Sequence, residues 1–76
     1  MDKVVQLWAF VAMPEDRDHG IPAFKRNGAL IPLVCSEERI LDIFRPLAQE
    51  VAEKEGIKVE LRKFNLEGVV ETFEPT

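Results

Sequence analysis

The sequence predicts an α+β fold: a small mixed β-sheet in the order β-β-β-α-β, with residues 69–73 offering a fifth short strand and one long helix packed on one face. Three features carry this expectation. Residues 4–13 form an apolar run too short for a membrane span, Asn27-Gly28 sits between two further apolar runs, and Ile40 to Ala52 repeat apolar residues at helical spacing between Ser36 and Gly56. A chain of 76 residues has room for one modest core, so residues 1–76 are expected to form one compact unit.

In the first run Val5, Leu7, Ala9, Val11 and Met13 alternate with Val4, Trp8, Phe10 and Ala12. Both sets are apolar, the pattern of a strand covered on both faces. Pro14 ends the run, and Glu15 to Gly20 form a polar connection. Between Ile21 to Arg26 and Ala29 to Cys35, Asn-Gly supplies the two positive-φ positions of a type I′ hairpin turn. A two-residue turn places Arg26 opposite Ala29, Phe24 opposite Ile31 and Pro22 opposite Leu33. Pro22 and Pro32 each remove a ladder donor, which keeps the pairing short or at an edge.

Ser36 is the expected N-cap, followed by Glu37 and Glu38 where the helix dipole favours negative charge. The stripe runs through Ile40, Leu41, Ile43, Phe44, Leu47, Ala48, Val51 and Ala52, with Asp42, Arg45, Gln49, Glu50, Glu53 and Lys54 opposite. Pro46 lies on the polar side and should bend the helix without destroying its apolar face. Gly56 supplies the left-handed closing residue. Ile57, Val59 and Leu61 then alternate with Lys58, Glu60 and Arg62, a strand buried on one face. Residues 65–68 read as a turn before the short strand at 69–73.

Composition narrows the function classes. With 46% hydrophobic and 32% charged residues the chain has enough apolar material to fold. Net charge is −4 and the basic residues are scattered, so no electrostatic footprint for a phosphate backbone exists and direct nucleic-acid binding is not expected. The longest apolar run falls well short of the roughly 20 residues of a membrane helix. Asp2 and Lys3 precede it without a basic leader or cleavage site, and the single cysteine fits a reducing compartment, so a cytoplasmic location is expected.

No residue pattern calls for a cofactor. His19, beside Asp16 and Asp18, is the one histidine, and the run lacks the converging ligands of a metal site or the glycine position of a calcium loop. A solvated turn explains it. Cys35, just before the helix, could gain thiolate character from the dipole, but its place at the end of an apolar strand favours a structural role, and a thiol-dependent activity is the lesser reading. The helix carboxylates read as a solvated face, and Lys25 and Arg26 as charges on a hairpin tip.

Trp8 and Phe10 carry the strongest functional expectation. They share one face of the first strand, and one helix covers only one face of a sheet. Together with Phe24 and Ile31 they form the expected interface of a noncatalytic, self-associating interaction domain, most simply a homodimer. An unidentified protein partner is the other candidate ligand.

The run Glu15-Asp16-Arg17-Asp18-His19-Gly20-Ile21-Pro22-Ala23-Phe24, followed by a turn and by Ser36-Glu37-Glu38 at the helix start, resembles the small antitoxin domains of the HicB type over about residues 4–55. In that family an acidic, Gly-containing turn links two strands and a Thr-x-Glu-Glu-Ala motif opens the helix. Here Cys35-Ser36-Glu37-Glu38-Arg39 stands at that start and Asn27-Gly28 replaces the usual turn. The DNA-binding segment that many members carry at the C-terminus has no counterpart in these residues. The resemblance implies masking of a small ribonuclease toxin, without assigning partner-binding residues.

Overall fold

The computed structural model describes residues 6–75. Val4 and Val5, expected in the first strand, lie outside the described residues. The elements in chain order are β1 (Gln6–Met13), β2 (Ala23–Arg26), β3 (Ala29–Pro32), β4 (Val34–Cys35), α1 (Glu38–Glu55) and β5 (Lys58–Asn65). The fold is α+β, with one helix packed against a sheet.

The pairing is antiparallel at every ladder, where a mixed sheet was expected. β1 is the centre of a three-stranded sheet ordered β4-β1-β5, and β2-β3 is a separate ribbon. Because β4 and β5 are both antiparallel to β1, they run parallel to each other with β1 between them. The helix connecting them therefore crosses over β1, which places it on the sheet face that carries Phe10.

The hairpin has the expected register, with Phe24 opposite Ile31 and Arg26 opposite Ala29. Asn27 at φ 51° and Gly28 at φ 80° give the turn its two left-handed residues. The continuous strand expected over residues 29–35 is instead broken at Leu33. Its N–H donates to Pro22 O at 3.0 Å, while its carbonyl accepts from Phe10 N–H at 3.0 Å. One backbone unit thus closes the ribbon on one side and joins the main sheet on the other. The side chain between these bonds is 1% exposed.

α1 runs unbroken through Pro46, which lies on the exposed side where the lost hydrogen bond costs least packing. Its cap is Glu37, one residue beyond the expected Ser36, in extended conformation and without a side-chain cap bond. Glu37 points its carboxylate at Arg39 Nε, 2.6 Å away, instead of at the helix amides. At the other end Gly56 has φ 64° and donates to Ala52 O, as the left-handed closing position requires.

The core joins Phe10, Leu33, Leu41, Phe44 and Ala48, with Trp8, Phe24, Cys35, Ile40, Leu47 and Val59 packed around them. Phe24 meets Phe44 edge to face at 6.1 Å, so the ribbon closes one flank of the helix–sheet core. Ile43, expected in the helix stripe, is 59% exposed. Its two neighbours Leu41 and Phe44 define the buried arc, and a residue between them turns away from the sheet.

β5 extends to Asn65, consuming the start of the expected 65–68 turn. No strand forms at 69–73: residues 66–75 have no regular structure and are exposed, with Val70 at 101% of its reference area. The segment pairs with no strand, and its apolar residues stay in water. The radius of gyration of 14.6 Å, against roughly 11 Å for a compact chain of this length, is in keeping with that extension.

Candidate interaction surface

β5 forms one edge of the sheet along its whole length. Its only strand partner among the described residues is β1, from Lys58 opposite Met13 to Asn65 opposite Gln6. The direction of its backbone groups follows from β1. Phe10 N–H points to Leu33 O, and Ala12 exchanges bonds of 2.7 and 3.1 Å with Gly20, so both residues direct their backbone away from β5. Their opposite numbers, Leu61 and Val59, then sit in the non-hydrogen-bonded pairs of the β1–β5 ladder. Alternation extends this to Lys63, opposite Trp8. Val59, Leu61 and Lys63 therefore aim N–H and C=O at the open side.

The intervening residues Glu60 and Arg62 lie on the sheet face opposite the helix, beside Val11 and Ala9. Arg62 Nη2 is 2.8 Å from Glu60 Oε1 and 3.2 Å from Met13 Sδ. To reach Met13 from a position opposite Ala9, the side chain must run along the strand past Val11. Its aliphatic stem thus runs along the face that has no helix, the face on which Val11 is buried. Farther along this face Leu7 and Phe64 are paired and both remain exposed. Leu66, Val69, Val70 and Phe73 continue the exposed apolar residues beyond β5.

Of the four residues expected at an interface, Phe10 is enclosed and the other three are half-buried. Phe10 is 5% exposed and belongs to the core under α1. Enclosed by its own chain, it offers no surface to a partner. Trp8 is half-buried on the same face, with Lys63 Nζ 5.5 Å from the ring centroid. Phe24 and Ile31 are half-buried too, and Phe24 is engaged with Phe44. Phe10 thus lies in the core and Trp8 and Phe24 pack around it between helix, sheet and ribbon, while Ile31 stands opposite Phe24 on the ribbon. The surface that remains open, at β5 and residues 64–73, carries in the sequence the pattern of an alternating strand, a turn at 65–68 and a short strand at 69–73; the apolar residues Phe64, Leu66, Val69, Val70 and Phe73 are the signal of exposed apolar surface.

Cys35 is half-buried against the core. Burial pushes its thiol pKa up; a hydrogen bond with the Glu37 backbone acts in the other direction, and the Glu37 carboxylate adds to the rise. These influences leave the thiol protonated at neutral pH and weaken it as a nucleophile. His19 is exposed in the connection after β1, where Asp16 pairs with Arg17 at 3.2 Å. This connection, Gly56 and Lys58 line an open cleft of about 830 Å³. Among the described residues no group of three or more His, Cys, Asp or Glu is placed to hold a metal. Lys25 and Arg26 are exposed on the ribbon, and among the described residues no helix is long and apolar enough to cross a membrane. No protein-family model, curated protein or solved structure matches the chain.

Proposed function

We propose that this protein is a small noncatalytic interaction domain that self-associates through its sheet. The observation that carries the reading is the outer edge of β5, an eight-residue strand that pairs on one side only among the described residues. An edge of that length presents a row of backbone donors and acceptors able to accept another strand. Exposed apolar side chains at its end, Phe64 and Leu66, add surface that water would otherwise cover. A small core gains from an isologous contact that continues the sheet into a second copy.

Sedimentation equilibrium tests the reading, at about 10–500 µM because an edge contact alone is smaller than a standard interface. A twofold increase in mass with rising concentration is the expected result. A monomer throughout this range overturns it. The antitoxin-like alternative draws support from the net charge of −4, which suits a small basic toxin. It requires a monomer or dimer that captures and inhibits a basic ribonuclease. The thiol-dependent alternative is disfavoured by the raised thiol pKa of Cys35.

A further inference from the structure

We infer that two copies pair β5 with β5 in one register, antiparallel and centred on Leu61, so that Glu60 of each copy faces Arg62 of the other. The inference rests on the self-association reading above and adds to it the contact and the alignment. Charges on an edge strand commonly keep other strands away. Here three charged residues stand at alternate positions on the face opposite the helix, Lys58, Glu60 and Arg62. The last two, of opposite sign and already paired within the chain, are the ones that a twofold axis between them converts into a match, with Lys58 facing Phe64.

Backbone geometry sets the choices. A twofold axis perpendicular to the sheet keeps each residue on its own face, so only registers that place like-facing residues opposite one another are open. In all of these the outward-pointing Val59, Leu61 and Lys63 form the hydrogen-bonded pairs, exchanging two bonds each. Side chains decide among them. Centring on Glu60 sets Glu60 against itself and Lys58 against Arg62. Centring on Arg62 sets the two guanidinium groups against each other, and centring on Lys63 does the same for the ammonium groups. Centring on Val59 matches Lys58 with Glu60 but runs off the strand at Ile57, outside β5.

Centring on Leu61 keeps residues 58–64 of both strands in register. Leu61 faces Leu61, Val59 faces Lys63, and Glu60 faces Arg62 twice over. The last are non-hydrogen-bonded pairs, in which side chains approach most closely. The Glu60–Arg62 pair already present within one chain then joins its symmetry mate in a network of four alternating charges. The sheet becomes six strands with α1 of each copy on the same side.

Charge exchange tests the register. Glu60→Arg and Arg62→Glu each place like charges opposite one another twice and should weaken self-association roughly tenfold, since each pair changes from attraction to repulsion. An equimolar mixture of the two variants should regain wild-type affinity as a heterodimer, because every facing pair is then opposite in sign. As a second probe independent of charge, Leu61→Cys in a Cys35→Ala background should form a covalent dimer on mild oxidation, directly opposite residues in a hydrogen-bonded pair lying about 5.5 Å apart at Cα. A wild-type dimer whose single variants keep full affinity, or whose Leu61→Cys form fails to cross-link, overturns this register while leaving self-association intact. A monomeric wild type overturns both.

Discussion

Replacing Leu33 by Ala should be among the most damaging single changes in this protein. Its side chain is 1% exposed and sits in the cluster with Phe10, Leu41, Phe44 and Ala48, while its backbone bonds both the ribbon and β1. Alanine keeps those backbone bonds, so the change isolates packing. Buried Leu→Ala substitutions cost about 2–5 kcal/mol, depending on how far the site collapses. Trp8 and Phe24 around this cluster are only half-buried and can move inward, which points to about 3 kcal/mol. A domain of this size has roughly 4–11 kcal/mol in total, so the loss is a large fraction of it. Urea unfolding followed by Trp8 fluorescence, at one protein concentration for both proteins so that association weighs on both alike, should show a midpoint lowered by about 3 M at an m-value near 1 kcal/mol/M. Leu30→Ala, on the exposed side of the same ribbon, should stay within about 0.5 kcal/mol of wild type. A Leu33 loss below about 1 kcal/mol, or equal losses at both sites, would refute the assignment of Leu33 as the joint between ribbon and sheet.

Further predictions concern the helix start, the turn and the thiol. Glu37→Ser should raise stability by about 0.5–1 kcal/mol, since the present cap makes no side-chain bond to the helix amides and the Arg39 pair it gives up is exposed; a thermal melt below wild type would count against it. Gly28→Ala should cost about 1–2 kcal/mol by chemical denaturation, a purely backbone effect because nothing lies within 4 Å of the added Cβ while φ is +80°. An unchanged midpoint would mean that the turn is not held in its left-handed form. Because the folded-state pKa of Cys35 is raised, the native thiol keeps its proton at pH values where the unfolded thiol has lost it. Stability should therefore decline as pH rises past the unfolded thiol pKa, and Cys35→Ala should flatten that decline. An identical alkaline slope in both proteins would remove Cys35 as its source.

Local rules made much of the fold legible. Asn27-Gly28 fixes the hairpin register by itself, because few other dipeptides accept two left-handed residues in a row. The helix was readable from spacing, and Gly56 marks its end for the same steric reason as in the turn. What local rules missed were competitions between neighbours. Ser36 and Glu37 can both stand at a helix start, and the choice fell to Glu37 once β4 held Val34 and Cys35 in the sheet. The break at Leu33 arises because one residue must serve two partners, Pro22 and Phe10, which no pattern along residues 29–35 contains. Residues 69–73 have strand composition, yet composition alone does not make a segment pair, and these residues leave the open edge of β5 uncovered.

The expected Trp8–Phe10 interface turned on a question that periodicity leaves open. Both residue sets of β1 are apolar, so alternation identifies two faces without saying which of them the helix takes. The crossover from β4 to β5 decides it: α1 passes over the face with Phe10, and Leu41, Phe44 and Ala48 close on it. The other face needs less cover than its apolar content implies. Ala9 is small, and the stem of Arg62 lies along Val11 on its way to Met13. A charged residue in an alternating strand was read as solvent-facing, whereas its long side chain here substitutes for the missing layer. This dual position gives Arg62 its weight in the proposed pairing. Arg62→Glu removes both the apolar cover and the charge match, whereas Arg62→Lys keeps a stem and a charge but loses the planar guanidinium fork. If self-association depends on charge at the β5 edge, Arg62→Lys should dimerise within a few-fold of wild type while Arg62→Glu does not. If both variants lose association equally and both lose stability, the contribution of Arg62 is cover for β1 alone, and the register centred on Leu61 loses its electrostatic argument.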